Sequence, residues 1–124
     1  MYINEYNNYI LRTIDCESRA IIISDDKKNY RNLIDFGNCC INLTDENGDL
    51  YVSRWESPEY QAISISEDDF WKICGITDYI CNYITNGVKG GITEAFGFWD
   101  DWNNSFQVIE VNNMYYGIYW WTTA

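Results

Sequence analysis

The sequence predicts an α+β fold: a single globular domain over residues 1–124, with a mainly antiparallel sheet of two hairpins packed on one long amphipathic helix near residues 66–86. Three observations predict it. Apolar residues in that stretch recur at helical spacing, alternating runs flank two polar turns, and 47% of the 124 residues are hydrophobic. This length and composition are typical of one domain with its own core. Strands with one dominant helix indicate a sheet that is covered on one face.

The helix prediction depends on a stripe of seven residues. At about 100° per residue they fall on one face that is roughly 120° wide. They are Phe70, Ile73, Cys74, Thr77, Ile80, Cys81 and Ile84. Ser66 is a favourable N-cap, acidic residues follow at 67–69, and Asn86-Gly87 is a typical helix stop. We therefore expect a helix of about 30 Å that crosses the domain.

Strands are predicted before this helix. Residues 19–24 form a β-branched run, and residues 60–65 alternate and lead directly into the helix. Residues 39–43 and 50–55 flank Asn47-Gly48, a pair that tolerates positive φ. This pattern indicates the first of the two hairpins.

The chain after the helix is expected to contain the second hairpin. Residues 106–111 and 114–121 are its strands, and Asn112-Asn113 is its turn. Between the long helix and this hairpin, Thr93 is a candidate cap for a short helix that runs to residue 102.

The charge balance restricts the class of partner. The chain has 19 acidic and 8 basic residues, a formal net charge of −11 and an isoelectric point of about 4.1. Phosphate backbones are bound by basic side chains, so we expect no direct binding to nucleic acid. A basic protein surface is the favoured partner, because opposite charge accelerates association. After Arg54 the only bases are Lys72 and Lys89, so the negative surface is expected in the second half.

No catalytic constellation is recognisable in the sequence. The chain has no histidine, which removes the commonest general base and metal ligand. The carboxylate pairs at 25–26, 68–69 and 100–101 are chain neighbours, whereas acid–base catalysis needs carboxylates in contrasting environments. We therefore expect a protein that is not an enzyme and holds no cofactor. A serine–lysine or lone-carboxylate enzyme has no positive support in the sequence.

The cysteines and the N-terminal sequence bear on the cellular compartment. Five cysteines, an odd number, include the adjacent Cys39-Cys40 and the stripe residues Cys74 and Cys81, and we expect free thiols. The N-terminus has no basic region followed by an apolar run, and no apolar run is long enough to span a membrane. A cytoplasmic location without a membrane partner is the resulting expectation.

One segment partly matches a calcium-binding loop. Counted from Asp45, the EF-hand ligand positions are occupied by Asp45, Asn47, Asp49, Tyr51, Ser53 and Glu56. Position six of an EF-hand loop is glycine, whereas here it is Leu50. Apolar and polar residues alternate on both sides of the loop, which is typical of strands and not of the helices of an EF-hand. A polar hairpin without metal is therefore the main interpretation. A calcium loop with the ligands Asp45, Asn47, Asp49 and Glu56 is the minor one.

The candidate partner-binding residues lie in two stretches. In the first, Trp99 and Trp102 bracket Asp100 and Asp101, a combination that can receive lysine or arginine by pairing and stacking. The second is the face of the predicted helix that lies away from its apolar stripe. It carries Glu67, Asp68, Trp71 and Asp78. Packing of the tryptophans in the core or against a loop is the alternative interpretation.

Two functions from different classes fit these features. The first is a small acidic cytoplasmic inhibitor that docks on a basic protein, such as a nucleic-acid-binding enzyme or a toxin. In size and charge, though in no motif, the chain is similar to phage anti-defence proteins, anti-CRISPR proteins among them, and to toxin-immunity proteins. A phage protein would act in the host-cell cytoplasm. The second is a small-molecule or peptide-binding domain, monomeric or oligomeric, with an aromatic pocket lined by residues 115–121.

Overall fold

The computed structural model describes residues 1–6, 18–53, 60–74 and 91–122. Six strands in these ranges form one antiparallel sheet in the order β1-β2-β6-β5-β4-β3. The strands are β1 (Tyr2–Tyr6), β2 (Ser18–Asp26), β3 (Ile63–Ser64), β4 (Ile92–Asp101), β5 (Asn104–Val111) and β6 (Met114–Thr122). The helices described are the 3₁₀ turn Lys27–Asn29, α1 (Leu33–Ile41) and α2 (Glu67–Cys74). The predicted antiparallel sheet is confirmed.

The sheet is covered on both faces rather than on one. Along β2, Ile21 and Ile23 belong to the core cluster under α1, while Ala20 and Ile22 belong to the cluster under α2. All four side chains are buried. A strand that is buried on both faces reads as a continuous apolar run, which explains why β2 shows no polar alternation.

The predicted amphipathic helix begins at the expected residue. The Ser66 hydroxyl accepts the N–H of Asp69 at 3.1 Å, so Ser66 is the N-cap of α2. Phe70 is fully buried against the sheet. The structure describes α2 through Cys74, a length of eight residues, and the rest of the stripe lies outside the described residues. The long helix near residues 66–86 is therefore not confirmed. Within the described ranges, no helix has the length and apolar character required to cross a membrane.

Residues 33–41 form α1, so the strand predicted at 39–43 is wrong. The first predicted hairpin lacks this strand, although its turn is present and Thr44 and Leu50 form one antiparallel bridge across it. Asn32 caps the helix, since its Oδ1 accepts the N–H of Asp35 at 2.8 Å. The buried residues of α1 are Leu33, Phe36, Gly37 and Cys40. They are spaced at i, i+3, i+4 and i+7, which is the helical period. The strand was predicted from the five residues 39–43, and so short a segment does not distinguish the helical period from the alternation of a strand.

The chain around Thr93 is strand β4, so the short helix predicted from this residue is wrong. Aromatic residues favour a strand when neighbouring strands cover them, and β4 pairs with β5 on one side and with β3 on the other. The second predicted hairpin is confirmed in β5 and β6. Its turn residues Asn112 and Asn113 have φ values of 50° and 65°, as a two-residue type I′ turn requires.

A β-bulge interrupts β4 just before its acidic end. The pairing with β5 shifts by one residue between Gly97 and Trp99, which makes Phe98 the extra residue. Phe98 and Trp99 consequently both pack into the core under α1. Gly37 of α1 lies directly against the ring of Phe98, where a Cβ would overlap the ring. Glycine at this position lets the helix approach the bulge closely.

We expect Gly37→Ala to lower the free energy of unfolding by about 1–2 kcal/mol in total, because the added methyl group overpacks the contact with Phe98 at a cost of about 2–3 kcal/mol. The better helix propensity of alanine, about 1 kcal/mol, offsets only part of that loss. Gly97→Ala is the matched control, since its Cβ would lie 3.6 Å from Ile65, an ordinary contact. Denaturant unfolding measures both. Equal stability of the two variants would contradict the close contact.

Candidate functional site

The end of β4 brings an acidic pair together with an exposed aromatic residue. Asp100 is exposed, Asp101 is partly buried, and Trp102 is exposed over 68% of its surface. The three residues follow the bulge and lead through the turn into β5. Successive strand residues point to opposite faces, so the two carboxylates leave the strand on different sides of the sheet edge.

Trp99 does not belong to this surface, contrary to its predicted contact role. It is only 6% exposed, and its Nε1 donates a hydrogen bond to Asn104 Oδ1 at 2.6 Å. Its ring packs against Phe106 and Tyr119, with centroid distances of 5.5 Å and 6.5 Å. The bulge is the physical reason, because it directs Trp99 to the same face as Phe98.

Buried polar side chains of β5 and its turn hold the end of β4 in place. Asn104 donates to Asn103 Oδ1 at 2.8 Å while it accepts from Trp99. Gln107 Nε2 donates to the Trp99 carbonyl at 3.3 Å. All of these side chains are buried. Hydrogen bonds are stronger in such a low-dielectric interior, so the network fixes the direction in which the acidic pair leaves the sheet.

A cleft of about 510 Å³ lies beside the acidic pair. It is lined by Tyr60, Gln61, Ile63, Phe98, Trp99, Asp100 and Asp101. β3 pairs with β4 opposite Phe96 and Gly97, so this pairing does not reach the end of β4, and Tyr60 and Gln61 border the space beside it. An adjoining pocket of about 180 Å³ is lined mainly by apolar groups, among them Ile65 and Gly97.

Tyr60 forms the aromatic wall of the cleft. Its ring centroid lies 5.4 Å from that of Phe98 and 5.8 Å from that of Trp99. Its hydroxyl donates to Asn38 Oδ1 of α1 at 3.0 Å. The side chain is nevertheless 39% exposed, and neighbouring Ile63 is 60% exposed. Neither residue is among the predicted contact residues, because both lie about 40 positions before Asp100 in the chain.

The surroundings of Asp100 disfavour its negative charge. Burial raises the pKa of Asp100 above its usual range, and the negative charge of Asp101 raises it further. Each effect disfavours the ionised carboxylate. A cation placed beside Asp100 would oppose both effects and favour its ionised form.

The Asp100→Asn variant should be slightly more stable than the unchanged protein at pH 7. The folded state raises the pKa of Asp100, so its charge opposes folding above that pKa, and this penalty disappears as the pH falls towards 3.8, the value for an unperturbed carboxyl group. The two proteins should therefore converge in stability near pH 3. Urea unfolding midpoints at both pH values check this. A variant less stable at pH 7 would show that the Asp100 charge favours folding.

Among the described residues, the start of the second predicted contact stretch lies away from the end of β4. The N–H of Ile65 donates to the carbonyl of Ala95 at 3.1 Å, which places the start of α2 beside the middle of β4. Six residues separate Ala95 from Asp101, about 20 Å along the strand. Asp68 is exposed and Glu67 partly buried at that start. The side chain of Trp71, and Asp78 altogether, lie outside the described residues.

The predicted calcium loop contains a tight turn. Asp45 Oδ1 accepts the N–H groups of Asn47 at 2.8 Å and Asp49 at 3.0 Å, and Gly48 has a φ of 84°. A carboxylate oxygen that could ligate a cation is thus used to close the turn. Glu56 lies outside the described residues. Among the residues that are described, no group of three or more cysteine or acidic side chains could hold a metal ion.

Cys39 and Cys40 are free thiols in the structure. Burial raises the pKa of each, and the neighbouring charges of Asp35 on Cys39 and of Cys39 on Cys40 act in the same direction. A reactive cysteine needs a lowered pKa, so neither thiol has the environment of a catalytic nucleophile.

A second pocket, of about 280 Å³, lies on the face covered by α1. It is lined by Glu5, Arg19, Ile21, Leu50, Tyr51, Ser53, Tyr119 and Trp121. The Arg19 guanidinium lies 5.8 Å from the centroid of the Trp121 ring, and the Tyr119 hydroxyl donates to the Ser53 carbonyl at 2.6 Å. Two members of the predicted aromatic run therefore line a pocket, whereas Tyr115 packs in the core.

Comparisons of this chain with known protein families, with curated proteins and with solved structures find no match. Function is therefore inferred from the chemistry of the sites themselves.

Proposed function

We propose that this chain is a small acidic binding protein that inhibits a basic partner protein by covering its charged surface. The contact surface is the end of β4, and the observation that carries the proposal is the exposed Trp102 beside Asp100 and Asp101. An aromatic anchor next to charged groups is typical of the residues that dominate binding energy at interfaces. The net charge of −11 would attract a basic partner from a distance.

The expected binding energies of Trp102 and of the two carboxylates differ in size, which gives them different roles. Burying about 150 Å² of the Trp102 side chain at about 25 cal/mol per Å² contributes roughly 4 kcal/mol. An ion pair that stays exposed to water contributes about 1 kcal/mol or less. Trp102 would therefore supply most of the local affinity, whereas the carboxylates set the association rate and the choice of partner.

The partner would be a protein whose basic surface normally receives nucleic acid, or a basic toxin. Phage anti-defence proteins of the anti-CRISPR type and toxin-immunity proteins are the two classes that this role matches. The protein would act in the cytoplasm, in the host cell if a phage encodes it. The acids at the start of α2, Glu67 and Asp68, would add to the long-range field and not to the contact, because they lie near the middle of β4.

The kinetics of partner binding test this proposal. The partner is first isolated at low salt with the unchanged protein, identified, and purified. Trp102→Ala should then increase the dissociation rate by about tenfold to a thousandfold. Each 1.4 kcal/mol of binding energy is tenfold, and the cost of ordering the interface offsets part of the roughly 4 kcal/mol from burial. Replacing Asp100 and Asp101 together by asparagine should lower the association rate and flatten its dependence on salt. Surface plasmon resonance at several salt concentrations measures both effects.

Glu46→Gln is the matched control, because it removes one negative charge from an exposed loop residue that does not line the cleft. It should leave the dissociation rate unchanged. If Trp102→Ala and the double asparagine variant bind the partner as the unchanged protein does, the end of β4 is not the contact surface.

The second pocket supports a second candidate function, the binding of a small molecule. Its aromatic and aliphatic walls with one acidic and one basic side chain suit a small amphipathic ligand. Ligands from a compound library that raise the melting temperature should lose this effect in Trp121→Ala and keep it in Trp102→Ala. Their affinity should depend little on salt. A ligand that still raises the melting temperature of Trp121→Ala would bind outside this pocket.

A further inference from the structure

We propose that β1 is a self-association edge, to which β1 of a second copy adds as an antiparallel strand and forms a symmetric dimer. Among the described strands, β1 pairs with β2 alone and lies at one end of the sheet. This edge is on the side of the sheet opposite to β4, so the inference does not depend on the proposed function.

The hydrogen bonds of the sheet determine which backbone groups of β1 point outwards. The Lys27 N–H donates to the Asn113 carbonyl at 3.0 Å, immediately after the last pair of β2 and β6. Residues of an antiparallel strand bond alternately to one neighbour and to the other. Because the register of β2 is regular, its odd-numbered residues bond to β6, and its even-numbered residues bond to the even-numbered residues of β1. The N–H and C=O groups of Ile3 and Glu5 therefore point away from the sheet.

The outer edge of β1 lacks most of the features that protect an edge strand from pairing with another chain. Proline, lysine and β-bulges are the usual ones. The sequence of β1 is Tyr-Ile-Asn-Glu-Tyr, and its register with β2 has no shift. Its one charged residue is Glu5, and Tyr2 is 71% exposed. A regular edge of this kind is suited to strand addition.

The sequence of β1 favours a second copy as the added strand. It has tyrosine at both ends and Asn4 at its centre, so antiparallel pairing about Asn4 places tyrosine opposite tyrosine. The same register places Ile3 opposite Glu5 of the second copy. These two residues carry the outward groups, and each such pair exchanges two N–H to C=O hydrogen bonds. Every outward group of Ile3 and Glu5 thus finds a partner in the other copy.

The far side of the sheet does not offer β1 a comparable edge. β3 has two residues, and the pairing of β4 is interrupted between Gly97 and Trp99. A short strand and a bulge both hinder strand addition. Head-to-tail association, which would continue into filaments, is therefore disfavoured. Pairing of β1 with itself closes after two copies.

Charge and interface size both limit the strength of this dimer. Each copy has a net charge of −11, so two copies repel each other. In the proposed register the two Glu5 residues are diagonal neighbours about 7–8 Å apart, a distance at which salt screens part of the repulsion. Two strands of five residues bury less than the about 1,200 Å² of a standard interface, so we expect a dissociation constant on the order of 100 µM.

The test is sedimentation equilibrium of the whole untagged chain from about 10 to 500 µM, in about 50 and 500 mM salt. The chain should be monomeric when dilute and dimeric when concentrated. The dissociation constant should be about threefold or more lower at high salt, because salt screens the repulsion. A chain that stays monomeric at the highest concentration and high salt would overturn the proposal.

NMR of a mixture of isotope-labelled and unlabelled chains tests the register. The Hα of Tyr2 should show a contact with the Hα of Tyr6 in the other copy, because opposite residues without mutual hydrogen bonds bring their Cα atoms to about 4.5 Å. Contacts between copies that are confined to other residues would show a dimer through another surface.

Two substitutions of Glu5 remove the same charge and separate hydrogen bonding from repulsion. Glu5→Gln keeps the outward N–H and should strengthen the dimer about twofold, because less charge is opposed. Glu5→Pro removes this N–H and should weaken the dimer about tenfold or more. Bonds to β2 do not use this group, so thermal unfolding should show a folded variant. Equally strong dimers of the two variants would contradict strand pairing.

Tyr2→Glu is a second variant that does not change a backbone group. It places a carboxylate opposite Tyr6 of the second copy and should weaken the dimer about fivefold, while the exposed position leaves the fold unchanged. An unchanged dissociation constant would show that Tyr2 lies outside the interface.

Further outcomes distinguish the occupant of the edge and the proposed function. If the chain stays monomeric but the peptide Thr-Val-Thr-Val-Thr shifts the amide signals of Ile3 and Glu5, the edge receives a foreign strand and the dimer is wrong. If the dimer forms but the basic partner ignores Trp102, only the proposed function fails. Salt also separates the two, since it should strengthen the dimer and weaken the contact with a basic partner.

Discussion

The candidate site depends on the contact between Gly37 of α1 and the ring of Phe98. The extra residue in β4 turns Phe98 and Trp99 to the same face, where α1 can cover them only because Gly37 has no side chain. This packing anchors the end of β4, and the hydrogen bond from Trp99 to Asn104 anchors the turn that follows. Asp100 and Trp102 consequently project from a rigid support, which lowers the entropy that binding would cost.

The acidic side chains at the two ends of the β4–β5 pair have different surroundings. Near the start of β4, Glu110 pairs with Lys27 at 3.1 Å, and Thr93 donates a hydrogen bond to the same carboxylate at 2.9 Å. At the far end, Asp100 lies beside the like charge of Asp101. Repulsion and burial both disfavour the charge on Asp100. The charge on Asp100 therefore lowers the stability of the free protein, a cost that the proposed contact with a basic partner would offset.

Particular residues show what could be predicted from the sequence. Ser66 caps α2 as expected, and the turn at Asn112-Asn113 has the predicted geometry, because both are decided by local backbone chemistry. Trp102 and the acids beside it are candidate contact residues on the local sequence alone. The burial of Trp99 could not be predicted from the sequence, because it follows from a one-residue shift in the pairing of β4 with β5. Tyr60 was missed, since only the pairing of β3 with β4 brings it to the acidic pair.

The sequence by itself determined the antiparallel sheet, the second hairpin, the start of the amphipathic helix and the strongly acidic character of the protein. These properties depend on residue type, short-range spacing and net charge. The tertiary structure alone decided that helices cover both faces of the sheet, that residues 33–41 are helical, and that Trp102 is exposed while Trp99 is buried. These properties depend mainly on contacts between residues far apart in the chain, which a short local pattern does not determine.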